Sequence, residues 1–127
     1  MNVVLTSGCF DGIHPGHLYH LERSRAMGDI LVVALTSDRF VNKGPGRPKF
    51  TWEQRRDMLA ALRCVDLVLR NDEAIPYGAI RCIKPRFYTK HEEYRGRLPE
   101  QALVEELGGM VRFTDWKVFS STELMKA

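Results

Sequence analysis

Val3-Val4-Leu5-Thr6-Ser7-Gly8-Cys9-Phe10-Asp11-Gly12-Ile13-His14-Pro15-Gly16-His17, close to the start of the chain, is the stretch whose reading decides the fold. The β-branched run Val3-Val4-Leu5, closed by Thr6-Ser7-Gly8, predicts a buried parallel strand that ends in a turn. A helix is expected next. Pro15 fits a first helical turn, Gly16 lacks a Cβ, and Leu18, Leu21 and Met27 mark an apolar face before Gly28. A strand, a glycine-bearing loop and a helix in that order aim backbone N–H groups and the positive end of a helix dipole at one spot, where phosphate binds well. His14 and His17 lie on one side of the first turn, and each can donate to a phosphate oxygen. A zinc site would need further ligands, and helical metal pairs are more often spaced four apart.

Further along, strands alternate with helices, without a linker, a repeat or a low-complexity segment, which is the pattern of a parallel α/β sheet. The strands are expected at Ile30 to Leu35, Leu67 to Leu69, Arg86 to Tyr88 and Met110 to Phe113. Thr51-Trp52-Glu53-Gln54 is a capping box ahead of a stripe of Met58, Leu59 and Leu62. A helix from about Pro76 carries Ala79, Ile80 and Ile83 inward and ends by Lys84-Pro85. The next begins around Pro99, buries Leu103, Val104 and Leu107, and stops at Gly108-Gly109. The expected product is one Rossmann-like, doubly wound α/β domain over residues 1–127, with a five-stranded parallel sheet and its site at the C-terminal strand ends.

At about 100° per residue, Arg55 falls on the line of Met58, Leu59 and Leu62, whereas Arg56 shares a side with Ala60 and Arg63. Arg55 is therefore expected to point inward. A cation near a helix start needs an anionic partner, either a structural carboxylate or a nucleotide phosphate. Asn42 to Lys49, with Lys43-Gly44-Pro45-Gly46-Arg47-Pro48, reads as a loop. It is either a solvated basic surface loop or a flap that brings Lys43 to charge developing in a reaction. Ser120-Ser121-Thr122-Glu123 is a second capping box, whose N–H groups and hydroxyls at a last helix start could also hold phosphates. Asp11 is either a contributor to a Mg²⁺ shell, directly or through water, or a turn-forming residue in Asp-Gly.

Composition agrees with one compact enzyme domain. The chain has 127 residues, 44% of them hydrophobic, and a net charge of +3, with bases and acids interspersed. That balance suits anionic small molecules at least as well as nucleic acid, and no concentrated basic face is visible. There is no basic leader before a long apolar stretch and no apolar run near eighteen residues, so a soluble cytoplasmic protein is expected. Cys9, Cys64 and Cys82 form no Cys-x-x-Cys pair, which suits a reducing compartment; Cys9 is read as a small packing residue beside the site.

Gly8-Cys9-Phe10-Asp11-Gly12-Ile13-His14-Pro15-Gly16-His17 resembles the His-x-Gly-His signature of the cytidylyltransferase-like nucleotidyltransferases. Leu35-Thr36-Ser37-Asp38, Lys43 to Pro48, Glu53-Gln54-Arg55 and Val65-Asp66 follow in the order seen in the adenylyltransferase domain of ADP-heptose synthase and in glycerol-3-phosphate cytidylyltransferase. Tyr88-Thr89-Lys90, Glu93-Tyr94 and Phe119-Ser120-Ser121-Thr122 look like late motifs of the heptose-type branch, so the resemblance covers nearly the whole chain.

The resemblance implies transfer of AMP or CMP from ATP or CTP to a small phosphorylated sugar or polyol, with Mg²⁺ and release of pyrophosphate. His14, His17, Lys43 and Arg55 would act on the reacting phosphates; Gly8, Cys9, Phe10, Gly16, Lys90, Ser120, Ser121 and Thr122 would hold the nucleotide. Asp11, Asp38 and His91 are the residues expected toward the substrate. A homodimer is implied in the same way. Where heptose-type relatives have Lys-Gly, this chain has Lys90-His91, so His91 alters the backbone, crowds the pocket or contacts the acceptor. The glycerol-type branch has an arginine before its Ser-Thr motif, where this chain has Asp115-Trp116-Lys117: Lys117 could substitute as a point charge, and Trp116 is either a stacking surface or packing.

Other readings remain beside this one. A different phosphate acceptor, such as phosphoethanolamine, phosphopantetheine or FMN, would leave the chemistry unchanged. A catalytically idle nucleotide-binding module, or a partner of a kinase chain, would bind without transfer. Nucleic-acid work by analogy with class I aminoacyl-tRNA synthetases is disfavoured by the dispersed charge and the absence of a tRNA-binding domain.

Overall fold

The computed structural model describes residues 1–115. Five strands, β1 (Val3–Gly8), β2 (Ile30–Thr36), β3 (Leu67–Asn71), β4 (Phe87–His91) and β5 (Met110–Thr114), form one sheet in the order β3-β2-β1-β4-β5. Every pair is parallel. β2 and β3 lie to one side of β1 and β4 and β5 to the other, so the winding reverses between β1 and β4. That reversal opens a crevice at the C-terminal strand ends, the usual ligand position in such sheets.

Four helices connect the strands: α1 (Pro15–Arg25), α2 (Trp52–Ala60), α3 (Tyr77–Ile83) and α4 (Gln101–Glu106). Val4, Leu31, Val33 and Leu35 pack with Leu21 of α1 and with Trp52 and Leu59 of α2 on one face of the sheet. Leu5, Val32, Ala34 and Tyr88 pack with Ile80 of α3 and Val104 of α4 on the other. The period-two alternation along β1 and β2 thus feeds two cores, as a doubly wound sheet requires. Within the described residues, the strand and helix positions agree with the sequence expectations to within a few residues; the last helix expected from Ser120 lies outside them.

Two stripes differ from expectation. Leu18 is 37% exposed and Met58 60% exposed. On α1 the inner face is taken instead by Gly16, His20, Leu21 and Ser24, and on α2 by Trp52, Arg55 and Leu59. The reason is polar packing: His20 and Ser24 find buried hydrogen-bond partners on the sheet, and Arg55 finds carbonyls, so inward positions were not reserved for apolar side chains.

Candidate active site

β1 runs into a loop held by three devices. Phe10 has φ +45°, a left-handed conformation uncommon for a non-glycine residue, of the kind stored at functional sites. Its ring packs against Gly8, where an added Cβ would sit 3.0 Å from Phe10 Cε2, and lies 5.5 Å from the His17 ring, centroid to centroid. A Cβ at position 8 would oblige the ring to shift by a few tenths of an ångström.

Secondly, Asp11 anchors the basic loop. Its carboxylate, with no exposed surface, accepts hydrogen bonds from Arg47 Nε at 2.7 Å, Lys49 N at 2.7 Å and Phe50 N at 3.0 Å. Burial pushes its pKa up, but these donors and the Arg47 charge outweigh that and hold it below the usual 3.8. Neither the magnesium role nor the Asp-Gly turn expected for Asp11 fits this arrangement: both oxygens are taken by the loop and the side chain is closed off from the cleft. No group of three or more His, Cys, Asp or Glu residues gathers as a cation site among the described residues.

Thirdly, Arg55 is a brace. It points inward and is 2% exposed. Its guanidinium donates to Thr36 O at 2.7 Å, Cys9 O at 2.8 Å, Phe50 O at 3.0 Å and Asp38 Oδ1 at 2.6 Å. Of the two partners weighed from sequence, the carboxylate is the one present, and three carbonyls join it. Arg55 and Asp38, expected on phosphate and substrate respectively, bind one another, and neither is among the residues lining the cleft. The planar fork of arginine suits this role, since one side chain can satisfy acceptors from β2, the β1 loop and the basic loop at once.

α1 begins with His14 as its N-cap. His14 Nδ1 accepts from Gly16 N at 3.0 Å, and His17 Nδ1 accepts from His14 N at 3.2 Å, a reciprocal capping box made of two histidines. Gly16 N–H is therefore directed at His14, a correction to its expected nucleotide contact. The box has a chemical consequence. With Nδ1 of each ring accepting a backbone N–H, Nε2 is the nitrogen left to donate on both. The rings are 3.8 Å apart, centroid to centroid. Desolvation, with the His14 and Lys43 charges, lowers His17 to about 4, so it is neutral at physiological pH in the ligand-free protein.

Above this loop lie two lobes of one cleft. The lobe over α1, of about 150 Å³, is lined by Ser7, Gly8, Cys9, Phe10, His17, His20, Lys43, Lys90, His91, Glu93 and Tyr94. The other, of about 270 Å³, reaches over β3, α3 and α4 and shares Ser7, Gly8, Cys9, Lys43, Lys90 and Tyr94 with the first. Lys43 and Lys90 thus stand where the lobes meet. Lys90 Nζ donates to Ser7 O at 3.1 Å and lies 4.5 Å from the Tyr94 ring centroid. Desolvation lowers its pKa while the Glu100 charge opposes the shift. His91 lines the first lobe at an ordinary φ of −66°, with its side chain accepting from Glu93 N, so replacing the family's glycine requires no strained backbone here.

The basic loop reaches the cleft at Lys43, and Gly8, Cys9, Phe10, Lys90 and His91 also line it. Ser120, Ser121, Thr122, Trp116 and Lys117 lie outside the described residues. Sequence reading missed the polar lining beneath. His20 bonds Thr6 Oγ1 at 2.9 Å and Thr114 Oγ1, and burial, with the charges of Lys90, His91 and His17, lowers it to about 4. Ser7 Oγ bonds Tyr88 OH, which donates to Glu100 Oε2, both at 2.7 Å. His20 was discoverable, because His14, His17 and His20 continue one three-residue spacing; Glu100 resembled an ordinary first-turn acid.

A glycine-bearing loop, a histidine-capped helix start and two lysines thus gather around the switch point of a parallel α/β sheet. The family model described as cytidylyltransferase-like matches residues 5–126. The bifunctional protein HldE of Syntrophotalea carbinolica is 40% identical over 119 residues, covering 89% of this chain and 24% of that protein. Its counterpart from Azorhizobium caulinodans is 46% identical over 96 residues, covering 74% and 20%. The chain spans about a quarter of the length of these curated relatives. Among solved structures, the lipopolysaccharide core biosynthesis protein from Thermoplasma volcanium matches with a TM-score of 0.73 at 26% identity, over 94% of this chain and 99% of that one. Pantothenate synthetase from Thermus thermophilus shares the fold, with a TM-score of 0.57 at 21% identity over 91% and 55%. The chain belongs to the cytidylyltransferase-like family of nucleotidyltransferases.

Proposed function

We propose that the protein transfers AMP or CMP from ATP or CTP to a small phosphorylated sugar or polyol, releasing pyrophosphate. The observation that carries this reading is the shared wall of the two lobes: Ser7, Gly8 and Cys9, flanked by Lys43 and Lys90, border both. One lobe suits the triphosphate and the other the acceptor, with the reacting phosphorus between them. An acceptor phosphate oxygen attacks the α phosphorus as the bond to pyrophosphate breaks, and no protein nucleophile is needed. Such a reaction is accelerated by alignment and by fixed positive charge. Nε2–H of His14 and His17 donates to the phosphate oxygens, and Lys43 and Lys90 neutralise charge on the transferring group. Arg55 acts one step back, by holding Cys9 and Thr36 in place.

Magnesium belongs to this reading through the resemblance, with no carboxylate of the described residues assigned to it. A cytoplasmic setting goes with it, as does a homodimer, which light scattering after gel filtration would check. The test is pyrophosphate release with Mg²⁺, ATP or CTP, and a panel of sugar 1-phosphates and polyol phosphates. Turnover of at least one pair is expected, and product mass separates sugar and polyol acceptors from phosphoethanolamine. An intact protein that binds ATP or CTP and turns over no acceptor is a binding module instead.

A further inference from the structure

The second lobe contains a carboxylate that the transfer reaction does not use. Glu100 is 4% exposed and stands at the position that caps α4, yet its side chain makes no capping bond. It turns instead toward the sheet, where Oε2 accepts from Tyr88 OH at 2.7 Å, and the residue lines the lobe together with Pro99 and Lys90. Tyr88 in turn is tied to Ser7, and Ser7 to Lys90, so the carboxylate is fixed by a chain of hydrogen bonds ending at the wall shared by both lobes.

Burying a carboxylate is costly unless donors surround it. Here Tyr88 supplies one donor to Oε2, and Oε1 takes no hydrogen bond from the described residues. The rest of the lobe sorts by chemistry. Lys43, Lys90 and Arg97 supply positive charge, Asn71 and Thr36 supply neutral polar groups, and Ile75 and Leu98 supply apolar wall. A simple inorganic anion would be repelled by Glu100. A molecule with a phosphate at one end and hydroxyls at the other meets cations with the first and an acceptor-only carboxylate with the second.

We propose that Glu100 is the specificity-determining residue for the acceptor, accepting hydrogen bonds from one or two hydroxyls of a polyol or sugar phosphate. This rests on the transfer reading for the word acceptor, but the recognition itself is a binding property. A site built to bond a hydroxyl rejects the analogue that lacks it, because its own polar group is left unpaired. Loss of a hydrogen bond to a charged group corresponds to about a 10- to 100-fold change in affinity.

The experiment measures binding of sn-glycerol 3-phosphate, several hexose 1-phosphates, their deoxy analogues and inorganic phosphate by calorimetry, and pyrophosphate release with the same compounds. Wild type, Glu100→Gln and Tyr88→Phe are compared, with melting curves confirming that each folds. Wild type is expected to prefer at least one hydroxylated phosphate over its deoxy analogue by at least tenfold. Glu100→Gln should lose most of that preference while binding inorganic phosphate no more weakly, and Tyr88→Phe, which frees the carboxylate from its one donor among the described residues, should weaken the preference less than Glu100→Gln does. No preference in wild type, or an unchanged preference in Glu100→Gln, would each overturn the proposal. Hydroxyl-dependent binding through Glu100 without pyrophosphate release from any triphosphate removes the transfer reading alone. Pyrophosphate release with parent and deoxy acceptors used equally removes Glu100 alone.

Discussion

Asp11 and Arg55 show how a residue's chemistry is settled by what surrounds it. From sequence, an acid beside a phosphate loop and an arginine on an inward stripe both suggest ligand contacts. In the fold neither lines the cleft, and each is engaged by backbone groups and one oppositely charged side chain. Asp11→Ala removes the acceptor for Lys49 N, Phe50 N and Arg47, and is expected to destabilise by about 2–3 kcal/mol in urea unfolding. Asp11→Asn should leave the magnesium dependence of nucleotide binding as in wild type; abolishing that dependence in a folded variant would restore Asp11 as a metal ligand. For Arg55→Met, three carbonyls lose their donor and the half-exposed Asp38 carboxylate its ion pair, at an expected cost of about 2–3 kcal/mol, mostly from the carbonyls. Arg55→Lys should recover little of this, because an ammonium cannot reach four acceptors in a plane.

α1 joins chemistry to stability through its polar inner face. His20 is clamped between Thr6 of β1 and Thr114 of β5, and its pKa is lowered to about 4 by burial and neighbouring positive charge. In the unfolded chain a histidine protonates near pH 6.5, so between about 6.5 and 4 the unfolded state binds more protons than the folded state. Stability is therefore full above pH 6.5 and declines as the pH falls toward 4, by up to about 3 kcal/mol for this group. His17 acts in the same direction. Urea midpoints measured from pH 7 to pH 4.5 should drop more steeply for wild type than for His20→Gln; parallel curves would contradict the buried neutral ring. At the other end of the sheet, Gly109 lets α4 return to β5: a Cβ there would lie 2.4 Å from Pro85 O. Gly109→Ala is expected to cost about 1–3 kcal/mol through backbone displacement, readable as a lower melting temperature.

For the whole molecule, the proposed transfer depends on elements distant in sequence meeting at the switch point between β1 and β4. The histidine box comes from α1, Lys43 from the loop after β2, Lys90 from β4 and Glu100 from the start of α4. His17→Ala should lower the rate of pyrophosphate release by about 10²- to 10³-fold, the usual effect of losing a donor to developing charge. Because its side chain also caps His14 N, the melting curve of that variant should be recorded alongside. A variant as active as wild type would move catalysis away from the histidine box.

The fold was legible because its determinants are local. β-branched runs, capping boxes at Thr51 and the glycine and proline stops each act within one turn of chain, and five strands alternating with helices leave few ways to build a parallel sheet. Gly8 to His17 likewise announced a phosphate cradle, since strand, loop and helix start are consecutive. Partner choice was not local. Whether Asp11 met a metal or Lys49 N, whether Arg55 met phosphate or Asp38, and whether Glu100 capped its helix or turned to Tyr88 depended on segments brought together only by the sheet. The sequence by itself determined the strand-loop-helix cradle and its family, because backbone geometry and short-range patterning are enough for that. Tertiary structure alone decided which charges face the cleft and which brace it, because a buried polar group is assigned by the partners within hydrogen-bond reach.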